Sequence, residues 1–275
     1  MHLTNDVWLS ARKLYDEGDY ISAQRQLQFY CADLRALSAH DTFVFGAYPI
    51  ASTSKPSDFQ RIAPVTWEVL KKDGPRRLVI AKDCLDWEFF NGDAPMLGGP
   101  VSLDTRWSQS YLRELFSETM FPAMFSEQER AAVLTTVVKT GEERTKDKLF
   151  LLSAEEVERF FPKGGAGAEL TLLDGPYDED GRHFSGENFR LITEPYCYWL
   201  RTPGKTRNAV AVVDEDGFVN ENGIHADADE VGVRPAMWLN TDLIRVECPV
   251  RIEGRNTLAF AERQEKNKGF GQNRK

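Results

Sequence analysis

Residues 65–81 read VTWEVLKKDGPRRLVIA, and this stretch decides the fold class. Val65–Leu70 and Arg77–Ala81 are short runs rich in β-branched and large apolar residues, a composition typical of strands. They flank Lys71–Pro75, where Asp73-Gly74 can supply a tight turn. The stretch therefore predicts a β-hairpin.

Similar signals continue on both sides of this hairpin. Phe218-Val219 should pair with an upstream run across a turn at Asp214–Gly217, which predicts a second hairpin. The other predicted strands are Thr42–Phe45, Val133–Val138, Leu149–Leu152, Ala209–Val213 and a closing strand at Val231–Leu239. Most of the chain from residue 41 onward is thus expected to be strand, turn or loop.

Three short helices are predicted between these strands. Ser108 or Ser110 can cap the first helix, and Ser126–Glu129 opens the second. Ser153–Glu156 is a capping box that opens the third. Lys163–Ala168 contains three glycines and is predicted to be a flexible surface connection. The fold class is therefore α+β.

The first 38 residues have a different pattern. Apolar residues recur at helical spacing from Asn5 to Ser38, with a break at Gly18-Asp19, which predicts a helical hairpin similar to one tetratricopeptide unit. We expect it to dock onto the body of the protein or onto a partner chain. The expected organisation is a hairpin over residues 1–40, a domain over 41–248 and a disordered polar tail over 249–275.

The composition narrows the classes of function. The chain has 275 residues, of which 41% are hydrophobic and 28% charged, as in ordinary globular proteins. Its net charge of −9 argues against general nucleic-acid binding, and it has no apolar run long enough for a membrane span. Four widely spaced cysteines suit reduced thiols. The expected location is cytoplasmic as the sequence is written, and extracellular if a signal peptide has been removed.

Several blocks resemble, in the same order, a bacterial family catalogued as a domain of unknown function, DUF6273. The most extensive are Arg106–Phe116 with Ala123–Glu129, Tyr198–Gly204 and Val231–Leu239. Shorter matches occur at Phe45–Pro49, Thr66–Leu70 and Lys148–Ser153, so the resemblance spans about residues 43–240. Two departures are Tyr198, where the family usually has Trp, and an apparent insertion at residues 164–188.

The resemblance implies a C-type-lectin-like fold of the sulfatase-modifying type, with a twisted antiparallel sheet, flanking helices and long loops. On such a scaffold the large aromatic and cationic residues within the matching blocks are expected to be structural, filling the core or pairing with carbonyls and carboxylates. These residues are Trp67, Trp107, Trp199, Trp238, Arg201 and Arg234.

Polar loops that follow the matching blocks are the candidate ligand-binding sites, because loops on a rigid sheet often carry recognition. One predicted loop contributes Lys205, Thr206, Arg207 and Asn208, and the next contributes Asn220, Asn222, His225, Asp227 and Asp229. We expect a protein or glycan as the ligand. Plain solvated turns are the alternative interpretation of these residues.

No metal or catalytic motif is recognisable in the sequence. The four histidines are isolated, and no Gly-x-Ser-x-Gly nucleophile motif is present. Asp178, Asp180, Gly181 and Glu187 share part of the EF-hand spacing for calcium, but Pro176 occupies the first ligand position of that frame, which disfavours an EF-hand. No cofactor or metal is therefore expected.

The leading hypothesis is a non-enzymatic recognition module. One alternative is a thiol oxidase of the sulfatase-modifying type, which would need paired active-site cysteines, and here only Cys197 and Cys248 lie late in the chain. A second alternative is a structural or assembly subunit whose N-terminal hairpin is buried against another chain.

Overall fold

A computed structural model describes residues 36–50, 61–92, 104–125, 127–162, 164–174, 190–228, 230–243, 248–251 and 259–261. The predicted N-terminal hairpin lies almost entirely outside these residues, and only two short strands of the predicted tail fall within them. Within the described residues the protein is mixed α+β and rich in strands, as expected from the sequence.

Two sheets of five strands form the body. The first has the order β1-β2-β3-β14-β5, with every pair antiparallel. Its strands are β1 (Thr42–Ile50), β2 (Arg61–Asp73), β3 (Arg76–Ala81), β14 (Ala236–Asn240) and β5 (Val133–Leu134). The predicted hairpin is confirmed as β2 and β3, which are joined through a turn where Gly74 has a φ of 56°.

The second sheet has the order β12-β11-β10-β13-β4 and is antiparallel except between β10 and β13. Its strands are β12 (Val219–His225), β11 (Ala209–Val213), β10 (Tyr198–Pro203), β13 (Gly232–Val233) and β4 (Asp86–Trp87). The predicted turn at Asp214–Gly217 is also confirmed, because the Asp214 and Phe218 backbones are hydrogen-bonded across it. Three strand pairs stand apart from these sheets: β6 (Thr136–Thr140) with β7 (Glu143–Asp147), β8 (Glu169–Asp174) with β9 (Arg190–Pro195), and β15 (Cys248–Arg251) with β16 (Ala259–Ala261).

Short helices cover the sheets. They are α1 (Tyr111–Leu115), α2 (Phe121–Met124), α3 (Glu127–Ala132) and α4 (Ala154–Phe160), and a π-helical turn (Phe116–Met120) joins α1 to α2. Ser110 caps α1 by accepting a hydrogen bond from the Arg113 backbone amide. Ser153 and Glu156 form the predicted capping box of α4. The helix starts predicted at Ser110 and Ser153 are thus confirmed. The predicted start at Ser126–Glu129 is confirmed from Glu127 onward, because Ser126 lies outside the described residues.

Three predicted strands are wrong in detail. Val133–Val138 is interrupted at Thr135 into β5, in the first sheet, and β6, which pairs with β7. The other two lie where the two sheets meet. Leu149–Leu152 is not a strand: Phe150 makes one isolated bridge to Ala236, and the Leu152 carbonyl accepts from Arg201 in the other sheet. The predicted closing strand is split into β13 and β14, which belong to different sheets. Arg234 and Pro235 form the crossing between them.

Lys163–Ala168, predicted to be a flexible surface connection, lies only partly on the surface over the residues described, where Gly165 and Gly167 are exposed. Ala166 is fully buried and Ala168 nearly so. The Ala166 carbonyl accepts hydrogen bonds from the Tyr198 hydroxyl at 2.8 Å and from Arg234 Nη1 at 2.9 Å. Small side chains allow this turn to approach the core closely, and its carbonyl is used to satisfy buried donors.

Arg201 and Arg234, the buried arginine pair, bridge segments from different parts of the fold; each is only 2% exposed. Arg234 donates to the Ala81 carbonyl at the end of β3, to the Ala166 carbonyl and to the Tyr198 hydroxyl on β10. Arg201 donates to the carbonyls of Lys139 and Leu151 and, at 2.5 Å, to the Glu156 carboxylate. A planar guanidinium has several donors in fixed directions, which suits this bridging.

The large tryptophans occupy the core that both sheets share. Trp67 and Trp199 are fully buried, and their indole NH groups donate to the carbonyls of Phe45 and Glu88. Trp107 is 1% exposed and donates to Asp147 Oδ2 at 3.0 Å. Trp238 is only partly buried, with the Arg76 guanidinium 5.7 Å from the centre of its ring. The indole nitrogens of Trp67, Trp107 and Trp199 thus have partners, whereas that of Trp87 on β4 is buried without one among the described residues.

Candidate functional site

The two polar segments predicted as ligand-binding loops meet at one edge of the second sheet. Lys205–Asn208 connects β10 to β11, as expected. The second segment is not a plain loop, because Asn220 and Asn222 lie on β12 and His225 is its last residue. β12 is an edge strand, and an edge strand can pair through its backbone without alternating apolar and polar side chains. The pattern of side chains therefore did not predict this strand.

Hydrogen bonds join the two segments. The Lys205 amide donates to the Glu221 carbonyl at 2.8 Å, and Thr206 Oγ1 donates to the Asn222 carbonyl, also at 2.8 Å. The Lys205 and Glu221 side chains form an ion pair. We name the combined feature the late polar surface, which consists of Lys205, Thr206, Arg207, Asn208, Asn220, Asn222, His225 and Asp227. Asp229, the remaining predicted residue, lies outside the described part of the chain.

Most side chains of the late polar surface face solvent. All are exposed except that of Asn208, which is partly buried and has a φ of 59°. Beneath them all five residues of β11 are buried, so the exposed groups rest on a packed strand. His225 Nδ1 and Asp227 Oδ1 form a hydrogen-bonded pair within the surface. The arrangement presents polar groups on a rigid support, which favours recognition.

Gly223 shapes the surface from within β12. Its φ is +79°, and a Cβ atom built on it would lie 2.4 Å from the Val210 carbonyl oxygen. The register of β11 with β12 shifts between Val210 and Val212, opposite this glycine. Only a residue without a side chain fits such a bulge without strain.

The backbone of this sheet edge is partly occupied. Asn220 Oδ1 accepts from the amides of Asn222 and Gly223, and the carbonyls of Glu221 and Asn222 accept from the β10–β11 connection. Adding a strand from a partner would require free backbone groups here. The late polar surface is therefore suited to contacts through side chains.

The Cys84 thiol and the Cys197 backbone both lie beside β13. The Cβ position of Gly232 is 2.7 Å from Cys84 Sγ and 2.8 Å from the Cys197 carbonyl oxygen. Burial raises the pKa of Cys84 to about 12, and burial also raises the pKa of Cys197. Both thiols therefore hold their protons more tightly than an exposed cysteine does.

Within the described ranges, no three His, Cys, Asp or Glu side chains lie close enough together to hold a metal ion. The segment with partial EF-hand spacing, residues 178–187, lies outside them. No helix in this part of the protein is both long and apolar enough to cross a lipid bilayer.

One cleft in the structure was not predicted from the sequence. It lies between the α1–α2 helical segment and the β6–β7 hairpin, and Arg113, Lys146 and Lys148 are among the residues that line it. We name it the cationic cleft. Lys146 and Lys148 are only two residues apart in the sequence, whereas Arg113 lies 33 residues before Lys146. The sequence therefore held no signal that Arg113 meets the two lysines.

The fold and the late polar surface define a strand-rich α+β domain that presents exposed polar side chains on the edge of a packed sheet. The family model DUF6273, described as a domain of unknown function, matches residues 99–241, and the chain belongs to this family. The resembling blocks near residues 45–49 and 66–70 lie outside the matched segment, although β14 within it pairs with β3 outside it. Neither the curated proteins nor the solved structures contain a significant match to the chain.

Proposed function

We propose that the protein is a non-enzymatic recognition module that binds a protein or a glycan through the late polar surface. The scaffold we propose is C-type-lectin-like: antiparallel sheets with short flanking helices and long connections are compatible with it. In such scaffolds the ligand-binding groups lie on connections late in the chain. The late polar surface also lies in the last third of this chain.

One observation carries the proposal: two polar segments, separate in sequence, come together and remain exposed. Lys205, Glu221 and Thr206 hold the segments together. In contrast, the Arg207 and Asn222 side chains have no hydrogen-bonding partner among the residues that the structure describes. They can meet a ligand without first breaking an internal contact, so little of the binding free energy would be lost.

The test is a triple replacement, Arg207→Ala, Asn222→Ala and His225→Ala, compared with the unaltered chain on a glycan array and in a selection from a displayed protein library. Because these side chains are exposed, the Tm should stay within a few degrees. Any ligand selected by the unaltered chain should bind the triple variant at least about tenfold more weakly, as expected from the loss of one or two good polar contacts.

A matched control replaces three exposed residues of the β6–β7 hairpin, Lys139, Glu142 and Arg144, by alanine. This control should retain binding. If the triple variant binds as tightly as the unaltered chain, the late polar surface is not the binding site.

Thiol-oxidase activity, predicted from Cys197 and Cys248, is the second candidate, because Cys84 and Cys197 are free cysteines and the Cys84 thiol and the Cys197 backbone carbonyl both lie beside Gly232. It is less well supported, since the reactive thiol of such an enzyme must ionise readily and burial raises the pKa of both groups. We expect iodoacetamide to modify the half-buried Cys197 more slowly than free cysteine at pH 8, with a rate that keeps rising above pH 9. Mass spectrometry of the labelled chain measures this. Fast labelling at neutral pH would favour the enzyme instead.

A further inference from the structure

The cationic cleft is a second polar feature, built from different elements than the late polar surface and sharing no residue with it. It has a volume of about 170 Å³. The helical segment contributes Arg113, Ser117 and Phe121, and the β6–β7 hairpin and its flanks contribute Thr135, Lys146 and Lys148. Three cations and two hydroxyl groups therefore border one concave space.

The one carboxylate in the lining, Asp147, already has its own donors. Its Oδ1 accepts from Arg113 Nε at 2.7 Å, and its Oδ2 accepts from Trp107 Nε1 at 3.0 Å and from the Thr145 hydroxyl. Asp147 is buried and offsets the charge of Arg113. Asp147 therefore holds Arg113 in place and does not neutralise the positive charges of Lys146 and Lys148.

Lys146 and Lys148 form no ion pair in the part of the chain that the structure describes. The Lys148 ammonium lies 4.5 Å from the centre of the Phe121 ring, which holds it at the cleft, and Lys146 is exposed. The lining thus has a net charge of about two positive units in a protein whose net charge is −9. A local positive potential on an acidic protein attracts small anions selectively to that place.

A π-helical turn borders the cationic cleft. Phe116 and Ser117 belong to the π-helical turn between α1 and α2, and both line the cleft. A π-helical turn inserts extra backbone into a helix at a cost in stability, and such turns occur frequently at functional sites. Here the turn places the Ser117 hydroxyl and the Phe121 ring beside the lysines.

We propose that the cationic cleft binds a phosphate group. The Lys146 and Lys148 ammonium groups and the Thr135 hydroxyl supply hydrogen-bond donors, which suits a ligand whose atoms are acceptors. The Ser117 hydroxyl already donates to the Glu114 carbonyl and the Glu118 carboxylate. Two uncompensated lysines match a dianion better than a monocarboxylate. The space is smaller than the several hundred Å³ of ordinary small-molecule pockets, so it suits inorganic phosphate or a single phosphate head group.

Inorganic phosphate is the probe for the test, with sulfate and acetate as comparison anions and sodium chloride used to hold the ionic strength constant. Binding to the full chain is followed by NMR chemical-shift changes and by calorimetry. We expect saturable binding of phosphate, weaker binding of acetate, and at least about tenfold weaker phosphate binding for Lys146→Gln or Lys148→Gln, the loss expected for one charge-assisted hydrogen bond.

Two further variants sharpen the result. Lys139→Gln removes an equal charge from the same hairpin outside the cleft and should bind phosphate as the unaltered chain does. Glu118→Gln should tighten binding severalfold, because Glu118 Oε1 lies 3.2 Å from the Ser117 hydroxyl and repels an anion there.

Each other outcome overturns the proposal. Phosphate binding that does not saturate, or that falls equally in Lys139→Gln and Lys146→Gln, means that only the overall charge attracts the ion. Acetate binding as tight as phosphate binding overturns the assignment to a phosphate group. A Tm for each variant, expected to match that of the unaltered chain, separates loss of binding from loss of folding.

Discussion

Arg234 and Arg207 lie fewer than thirty residues apart in the sequence, yet the fold uses them in opposite ways. Arg234 is buried, and its guanidinium donates to two backbone carbonyls and a tyrosine hydroxyl drawn from three separate segments. Arg207 is exposed on the late polar surface. A buried cation is tolerated only when nearly all of its donors are satisfied, so Arg234 serves the fold, whereas Arg207 is available to a partner.

We expect the largest loss of folding stability from Arg234→Met. The Ala81 carbonyl would lose its Arg234 donor inside the core, and the Ala166 carbonyl would keep only the Tyr198 hydroxyl, so the free energy of unfolding should fall by about 3 kcal/mol or more. Urea denaturation followed by tryptophan fluorescence measures the change. Unaltered stability would mean that the two sheets are held together without this residue.

An intermediate effect is expected from Gly223→Ala beneath the late polar surface. The new methyl group would collide with the Val210 carbonyl at a φ of +79°, so we expect a loss of about 2 kcal/mol in the same assay. Gly74→Ala is the control, because Gly74 also has a positive φ but its Cβ position has nothing within 4 Å. Gly74→Ala should lower the free energy of unfolding by about 1 kcal/mol, which is the cost of the positive φ without a collision. Equal losses in the two variants would show that the collision is relieved by movement of β12.

The smallest effect is expected from Arg207→Met. This exposed residue is not part of any hydrogen bond among the described residues, so stability should change by less than about 0.5 kcal/mol. A larger loss of stability would show that Arg207 has a structural role and would contradict the contrast with Arg234.

Features set by neighbouring residues were predictable from the sequence. The β2–β3 hairpin follows from Asp73-Gly74, the start of α4 from Ser153 and Glu156, and the turn before β12 from Asp214–Gly217. In each case the turn or cap is formed by residues within about five positions of one another. The family, too, was identified from the sequence, by blocks over about residues 43–240, and its model matches residues 99–241.

Features set by distant pairings were not predictable. Leu149–Leu152 has the composition of a strand, but it touches both sheets and joins neither, which only the three-dimensional arrangement decides. The interval Val231–Leu239 is divided because Arg234 and Pro235 cross from one sheet to the other. Within the candidate sites, the contact of Lys205 with Glu221 and the meeting of Arg113 with Lys146 depend on the same long-range packing.

The pairing of β14 with β3 has a consequence during protein synthesis. Arg234 reaches the Ala81 carbonyl across 153 residues, so β3 leaves the ribosome long before the strand that covers its open side has been made. A meander of β1, β2 and β3 formed before then would expose the β3 edge that β14 later covers, and an open strand edge is the kind of surface on which nascent chains associate wrongly. Completion of the first sheet must therefore wait until translation has passed residue 240.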